Sequence, residues 1–302
     1  MALIVTGASG HFGRGAVAGL LKHVPATDLI LVSRNPAALA EYARQGAQVR
    51  RGDFDDAASL GPAFAGGQKM LMISAMRVGK RIGPHTNAIE AAVKAGVRHI
   101  VYTSTIGATP DNPSLAVKDH RVTEEVLRGS GVTWTALRNS QYTDALIEAA
   151  APIAIASGRW LASAAEGLIA PVVRQDCVDC AVAVMAGSGH ENAVYNITGP
   201  DLLSYRDIAS IVAEVSGKPI RYEAVSDEQM YTVFDTLGIP REPVDDLVVG
   251  GVPWCSDDMV SFERSIREGR FAVKTDHVLK LAGHEPRSLR SFARERSAAL
   301  AK

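Results

Sequence analysis

Three glycines at a spacing of three, Gly7, Gly10 and Gly13, sit between an apolar run, "ALIVT" (2–6), and a segment with a four-residue apolar period. A strand that turns on glycine and passes straight into a helix brings free backbone amides and a helix N-terminus to one point, which suits an anion. "VTGASGHFGRG" is G-x-x-G-x-x-G rather than G-x-G-x-x-G. The physical needs are the same: a tight bend, close backbone approach to a pyrophosphate, and a helix aimed at its charge. Such a trio alone also fits a plain strand-to-helix turn; the strand before it and the helix after it favour the dinucleotide reading. Ser9, His11 and Phe12 lie inside this turn, and Phe12 opens the helix stripe Phe12, Ala16, Leu20 and Val24.

The next 120 residues repeat the strand-then-helix rhythm. "LILVS" (29–33), "KMLMIS" (69–74), "HIVYTS" (99–104) and "TWTALR" (133–138) are continuous apolar runs, as expected of parallel strands covered on both faces. Ala88, Ile89, Ala92, Val93 and Ala95 predict a helix closed by Gly96. The alternation predicts an α/β fold, a Rossmann-like doubly wound parallel sheet over residues 1–140. After "RNSQYTD" (138–144) the rhythm changes to an alanine-rich segment, a break at Pro152 and short capped helices. "SYRDIASIVAEVSG" (204–217) carries Ser204 and Asp207 as a cap, and "SDEQMYTVFDTLG" (226–238) carries Ser226 and Gln229. Residues 141–302 are expected to form mainly a smaller, mostly helical substrate-binding lobe, with a strand near 193–199 returning to the sheet.

The net charge of −1, with acids and bases interspersed, argues against nucleic acid or an anionic membrane as partner. No apolar run reaches membrane-spanning length and the N-terminus does not read as a leader, so a cytoplasmic protein is expected. Cys177, Cys180 and Cys255 are too few for a disulfide framework. The C-x-x-C pair lacks further zinc ligands, and its helical setting predicts two thiols packing as small hydrophobes, with no metal. His85, His99, His190, His277 and His284 show no metal-ligand spacing either.

The end of the second strand selects the cofactor. An NAD site puts an acid there to bond the ribose hydroxyls, whereas this chain has "VSRNP". Arg34 in that position suits a 2′-phosphate, so NADP(H) is expected; the alternative is a solvated loop arginine. Asp53, with Phe54 beside it in "GDFDD" (52–56) after the third strand, falls where a carboxylate would accept from the adenine amino group. Ser74 and Ala75 end the fourth strand and would border the nicotinamide ribose.

With these residues in view, the chain resembles the NmrA-like, atypical short-chain dehydrogenase/reductases. Within them it is most similar to the bacterial NADPH:quinone oxidoreductases and triphenylmethane dye reductases. The matching stretches are "VTGASGHFG", "VSRNPAA", "VGKRIGPHTNAIEAAVKAGVRHIVYTS", "HRVTEEVLRGSGVTWTALRNSQYTD", "GHENAVYNITG" and "EVSGKPI", from residue 3 to about 220. The resemblance implies NADPH held by Gly7 to Gly13, Arg34, Ser74 and its neighbours, with Asn139 and Tyr142 lining the nicotinamide pocket. A polar cap on the sheet end is the alternative for Asn139 and Tyr142.

One expected feature is missing. None of the seven tyrosines has a lysine four residues later, so the usual short-chain dehydrogenase acid is absent. In the related reductases of benzylic ethers and isoflavones a lysine serves near this point. That position aligns with His120, with Lys118 two residues earlier. A simple ketone needs a proton as hydride arrives. A quinone spreads the charge over its ring, and a cationic dye is neutralised, so proximity and a flat apolar slot suffice. The candidate catalytic set is therefore His120, Lys118 and Tyr142, with His120 either donating a proton or facing solvent in the first turn of a helix. The expected reaction is NADPH-dependent reduction of a small quinone-like or conjugated aromatic acceptor. The alternatives are a lignan-type benzylic ether reductase using Lys118 or His120, and an NADP(H)-sensing regulator that catalyses nothing. A homodimer is left open. So are the roles of residues 240–275, as lid or dimer surface, and of Trp254 and Met259, as slot lining or core.

Overall fold

The computed structural model describes residues 1–244 and 255–300. β1 (Leu3–Val5), β2 (Leu29–Ser33), β3 (Gln48–Arg51), β4 (Lys69–Met72), β5 (His99–Thr105), β6 (Thr133–Asn139) and β8 (Ala193–Ile197) form one parallel sheet in the order β3-β2-β1-β4-β5-β6-β8. The order reverses beside β1, so the carboxyl ends of β1 and β4 open a crevice at the switch point.

Side-chain alternation explains why these strands read as unbroken apolar runs. Leu3, Val5, Leu29, Leu31, Leu71, Val101 and Leu137 pack on one face against α1 (His11–Leu20), with α2 (Ala40–Arg44) beside it, and against the helix Arg174–Ala186. Ile4, Ile30, Val32, Met70, Met72, Ile100 and Tyr102 pack on the other face, under α3 (Ala57–Phe64), α4 (Ile82–Lys94) and α5 (Leu115–Gly129). Both faces are covered, and period two therefore leaves no polar alternation. β3 is the exception. Its "QVRR" is half exposed because it is the sheet's edge, where charge discourages further pairing.

A further buried cluster, drawn mostly from residues after 145, lies apart from the two faces of the sheet. β7 (Arg159–Ala162) pairs with β9 (Arg221–Ala224), and Trp160, Tyr205, Tyr222, Phe271 and Phe292 gather beneath them. Both expected capping boxes form, Ser204 with Asp207 and Ser226 with Gln229. The helix Ser256–Arg267 packs on α5, which roofs the sheet's carboxyl end with part of the 240–275 stretch. Met259 joins a cluster with Met230, Phe234 and Val260, the core reading. "VGGVPW" and Trp254 lie outside the described residues.

Two sequence expectations shift slightly. Val24 falls past the end of α1, and Val93 is exposed on α4 rather than part of its buried stripe. Cys177 and Cys180 are free and buried between the helix Arg174–Ala186 and α1, and burial pushes both thiols up. Among the described residues, no helix is long and apolar enough to cross a membrane.

Candidate active site

The phosphate turn is built for close approach. Gly7 takes φ +59°, and a side chain at Gly13 would meet the Gly7 carbonyl oxygen at 2.3 Å. Gly10 is the N-cap of α1 and brings no side chain to satisfy the helix's first amides, which are left for an anion. Two neighbours hold the turn in place. The Ser9 hydroxyl bonds that of Ser33 at 2.8 Å, and Arg14 donates to the Ser9 carbonyl through Nε and to the Ala38 carbonyl through Nη2. His11 is exposed at the mouth, whereas the Phe12 ring is buried in the core beneath it. Arg34 is exposed at the end of β2 and makes no hydrogen bond or ion pair among the described residues.

Asp53 and Phe54 are partly committed elsewhere. Asp53 Oδ1 accepts from the Asp55 amide at 3.1 Å, so half of the carboxylate closes its own loop. The Phe54 ring meets His85 edge-on, with centroids 6.2 Å apart.

At the other end of the crevice, the chain leaves β4 and crosses the sheet top through Ile73, Ser74 and Ala75. Their amides are taken by Thr6 Oγ1 (3.0 Å), Thr103 Oγ1 (2.9 Å) and His85 Nε2 (2.9 Å). Across from them, Asn139 donates through Nδ2 to Tyr142 Oη at 3.0 Å. Among the described residues, Asn139 Oδ1, Ser140 Oγ and Thr143 Oγ1 are buried without a partner. Buried polar atoms rarely go unpaired, and Asn139 Oδ1, beside the Tyr142 hydroxyl, can accept from a donor such as a carboxamide. Burial holds the Tyr142 phenol above its ordinary range, and the Arg174 guanidinium lies 5.6 Å from its ring.

The structure corrects the solvent-facing alternative for His120. It lies in the second turn of α5 and is 5 % exposed. Lys118, two residues away and so on the opposite side of the helix, is exposed. Hydrogen-bond logic fixes the ring's state. An arginine only donates, so Arg81 Nη1 at 3.1 Å makes His120 Nε2 the acceptor. The ring proton then sits on Nδ1, donated to Tyr102 Oη at 2.7 Å. Tyr102 Oη also lies 3.4 Å from His85 Nδ1, and the Thr123 hydroxyl beside them donates to the Asp119 carbonyl at 2.8 Å. Burial first, then the Arg81 guanidinium and the neighbouring His85 ring, hold His120 well below its ordinary range. Asp258, on the helix Ser256–Arg267, interacts with the same guanidinium, and burial pushes its carboxyl up to about 6.

Sequence reading missed Arg14, Thr6, Thr103 and His85. The threonines carry a faint signal, each at or near a strand's carboxyl end, and Arg14 sits within the glycine motif. Among the described residues, Asp176, Asp179 and His284 bring ligand-type atoms within 4.8 Å of one another. Asp176 already accepts from the Arg287 amide, and Asp179 from Gln175, so the group fixes the C-terminal segment to the helix Arg174–Ala186.

Comparison with known proteins agrees with this geometry. Residues 7–159 match the NAD(P)H-binding family. The chain is 36 % identical to quinone oxidoreductase 2 of Escherichia coli over 238 residues, 79 % of this chain and 82 % of that protein. The crystal structure of the NADPH-dependent quinone oxidoreductase of Escherichia coli complexed with NADPH superposes with a TM-score of 0.87 at 32 % identity, covering 99 % of this chain and 100 % of that one. The triphenylmethane reductase of Citrobacter sp. superposes with a TM-score of 0.85 at 30 % identity, with coverage of 99 % and 100 %.

Proposed function

The chain belongs to the NAD(P)H-binding, NmrA-like oxidoreductase family, and from that premise we propose that it reduces quinone-like or other conjugated aromatic acceptors with NADPH. It is a nicotinamide-dependent reductase; the acceptor class and the preference for the 2′-phosphate are the proposal. The observation that carries the acceptor class is the state of His120. At the helix position where an acid is expected, one ring nitrogen is held by Arg81 and the other gives its proton inward to Tyr102. The His120 ring proton therefore does not face the crevice.

NADPH, when bound, supplies the hydride. The chain's own residues hold the partners and exclude water. Gly7, Gly10 and Gly13 present amides to the pyrophosphate, with Ser9, His11 and Phe12 shaping the turn. Arg34 pairs with the 2′-phosphate, and Asp53 with Phe54 borders the adenine. Ser74, Ala75 and Asn139 border the nicotinamide. Tyr142, whose oxygen already accepts from Asn139, keeps one proton to hydrogen-bond an oxygen of the acceptor or carboxamide. His120 is a positioning residue in this scheme, and Lys118 takes no part. Both electrons arrive with the hydride; a quinone's anionic product then takes one proton from solvent, whereas a cationic dye is neutralised by the hydride itself. The names of the quinone and triphenylmethane reductases support this reading, because both acceptor types absorb the added charge themselves.

Steady-state oxidation of NADPH and NADH against a benzoquinone, a naphthoquinone, a triphenylmethane dye, a simple ketone and a lignan ether tests it. A quinone or the dye is expected to turn over at least ~100-fold faster than the ketone, the size of effect lost without a positioned acid. Arg34→Ala is expected to raise KM for NADPH by roughly 10- to 100-fold, the worth of a charge-assisted bond, and to leave NADH unchanged. Turnover of the ether or ketone alone contradicts the proposal. Tight NADPH binding with no turnover at all favours the sensor reading.

A further inference from the structure

We propose that His85 is a positioning residue for the nicotinamide half of the site, acting as the last of three side-chain acceptors that prolong β4 beyond its final ladder pair. The inference rests on the reading of the crevice given above and adds to it a residue that touches neither cofactor nor acceptor.

The ladder of β4 ends where Met72 pairs with Tyr102. Beyond that pair the sheet splays at the switch point, and three successive amides lack a strand partner. Side chains from three different elements take them. Thr6, just past β1, serves Ile73; Thr103, in β5, serves Ser74; His85, in α4, serves Ala75. The first two are short hydroxyls on the flanking strands. The third amide is met from the helix layer instead, and the longer imidazole spans that gap.

An imidazole accepts at Nε2 only if its proton is on Nδ1, and the surroundings impose that tautomer. His85 Nδ1 faces Thr123 Oγ1 at 2.9 Å. The Thr123 proton is spent on the Asp119 carbonyl, so that oxygen is free to accept. Phe54 and Tyr102 hold the ring edgewise on two sides, at centroid distances of 6.2 and 5.6 Å. The titratable groups around it are Arg81, Tyr102, His120 and Asp119. Burial, reinforced by Arg81, lowers His85 to about 3, so the acceptor persists through neutral pH. Tyr102 Oη, which receives His120 Nδ1 at 2.7 Å, also lies 3.4 Å from His85 Nδ1. The two histidines are thus ends of one network, and it terminates on the loop that borders the nicotinamide. A reacting pair misplaced by about 1 Å loses up to ~100-fold in rate, so a loop fixed at three consecutive amides is worth most in kcat.

Two substitutions separate the acceptor from mere packing. In His85→Gln the side-chain amide oxygen reaches the place of Nε2 and can still accept from Ala75. In His85→Asn the shorter amide reaches only toward Thr123. Hydrogen exchange of the cofactor-free protein, read on the peptide spanning residues 73–77, is expected to be about fivefold faster in His85→Asn and near wild type in His85→Gln. NADPH affinity, followed by its fluorescence, is expected to change less than about threefold in both, since the pyrophosphate and 2′-phosphate contacts are untouched. With a naphthoquinone, kcat is expected to fall about tenfold or more in His85→Asn, with KM for the quinone nearly constant, and to recover in His85→Gln. Equal behaviour of the two variants, or lowered thermal stability with unchanged exchange and kcat, overturns the proposal. If the wild type reduces no conjugated acceptor, the functional reading fails while exchange and NADPH binding still report on His85.

Discussion

Gly13→Ala is expected to lose NADPH binding by at least ~100-fold and to be less stable by about 1–3 kcal/mol, the usual cost of overpacking. The added methyl would lie 2.3 Å from the Gly7 carbonyl oxygen, 2.7 Å from Ala8 Cα and 2.9 Å from the Ala8 carbonyl carbon. All three are backbone atoms of the same turn, so no side chain can rotate away. The turn must open, and opening it breaks the bond from the Gly10 amide to the Gly7 carbonyl and moves the N-terminus of α1 off the pyrophosphate path. Gly61→Ala is the control, since its methyl meets nothing within 4 Å. Fluorescence titration with NADPH and a melting curve for each variant check both halves. Wild-type affinity in Gly13→Ala would remove the glycine turn from the account.

The second large effect is on stability. Glu124 is 1 % exposed and accepts from Ser104 Oγ (2.6 Å), from Arg138 Nε (2.8 Å) and Nη2 (2.6 Å), and from Arg128 Nη2 (2.6 Å). It ties α5 to the carboxyl ends of β5 and β6, one residue before Asn139. Glu124→Ala strands Arg138 in a largely buried place without its counter-charge, a loss of about 3–5 kcal/mol. Glu124→Gln keeps an acceptor and should fall between the two in urea denaturation. Burial alone would raise this carboxyl, but the bonds from Arg138 and Ser104 outweigh it and hold it below the ordinary range. A depressed carboxyl contributes stability above its unfolded range and loses it as pH falls through the folded value. The gap between wild type and Glu124→Ala should therefore narrow on acidification. A loss under about 1 kcal/mol at neutral pH would show the ion pair to be peripheral.

The parts of the fold that were legible were those decided by local chemistry. β2 runs over Leu29–Ser33 as its apolar run does, because both faces of the sheet are covered. Ser204 and Ser226 announce their helices because capping is a short-range bond between neighbours. β3 was legible only from its place before "GDFDD", since an edge strand carries no continuous apolar run. The candidate site divides in the same way. Gly7 and Gly13 declare themselves because only glycine meets their backbone demands. The direction of His120 was hidden, since it depends on which face of α5 meets Tyr102 across the sheet. His85 was hidden more deeply. It has neither metal spacing nor a motif, and its partner is a backbone amide ten residues upstream, exposed by the end of a ladder that only the sheet defines. The C-terminal return was equally silent: His277 accepts from the Asn196 amide and so closes the free edge of β8.

The most direct test of the central claim, that the acceptor rather than a protein acid takes up the charge, is the pH dependence of kcat/KM for a naphthoquinone, in wild type and His120→Ala. The account predicts a flat profile from about pH 5.5 to 8.5 for both, because an inward-bonded, buried imidazole does not titrate there as a general acid. A wild-type profile that falls as pH rises through a single group near neutrality, and that is flattened and slowed in His120→Ala, would contradict it and make His120 the proton donor.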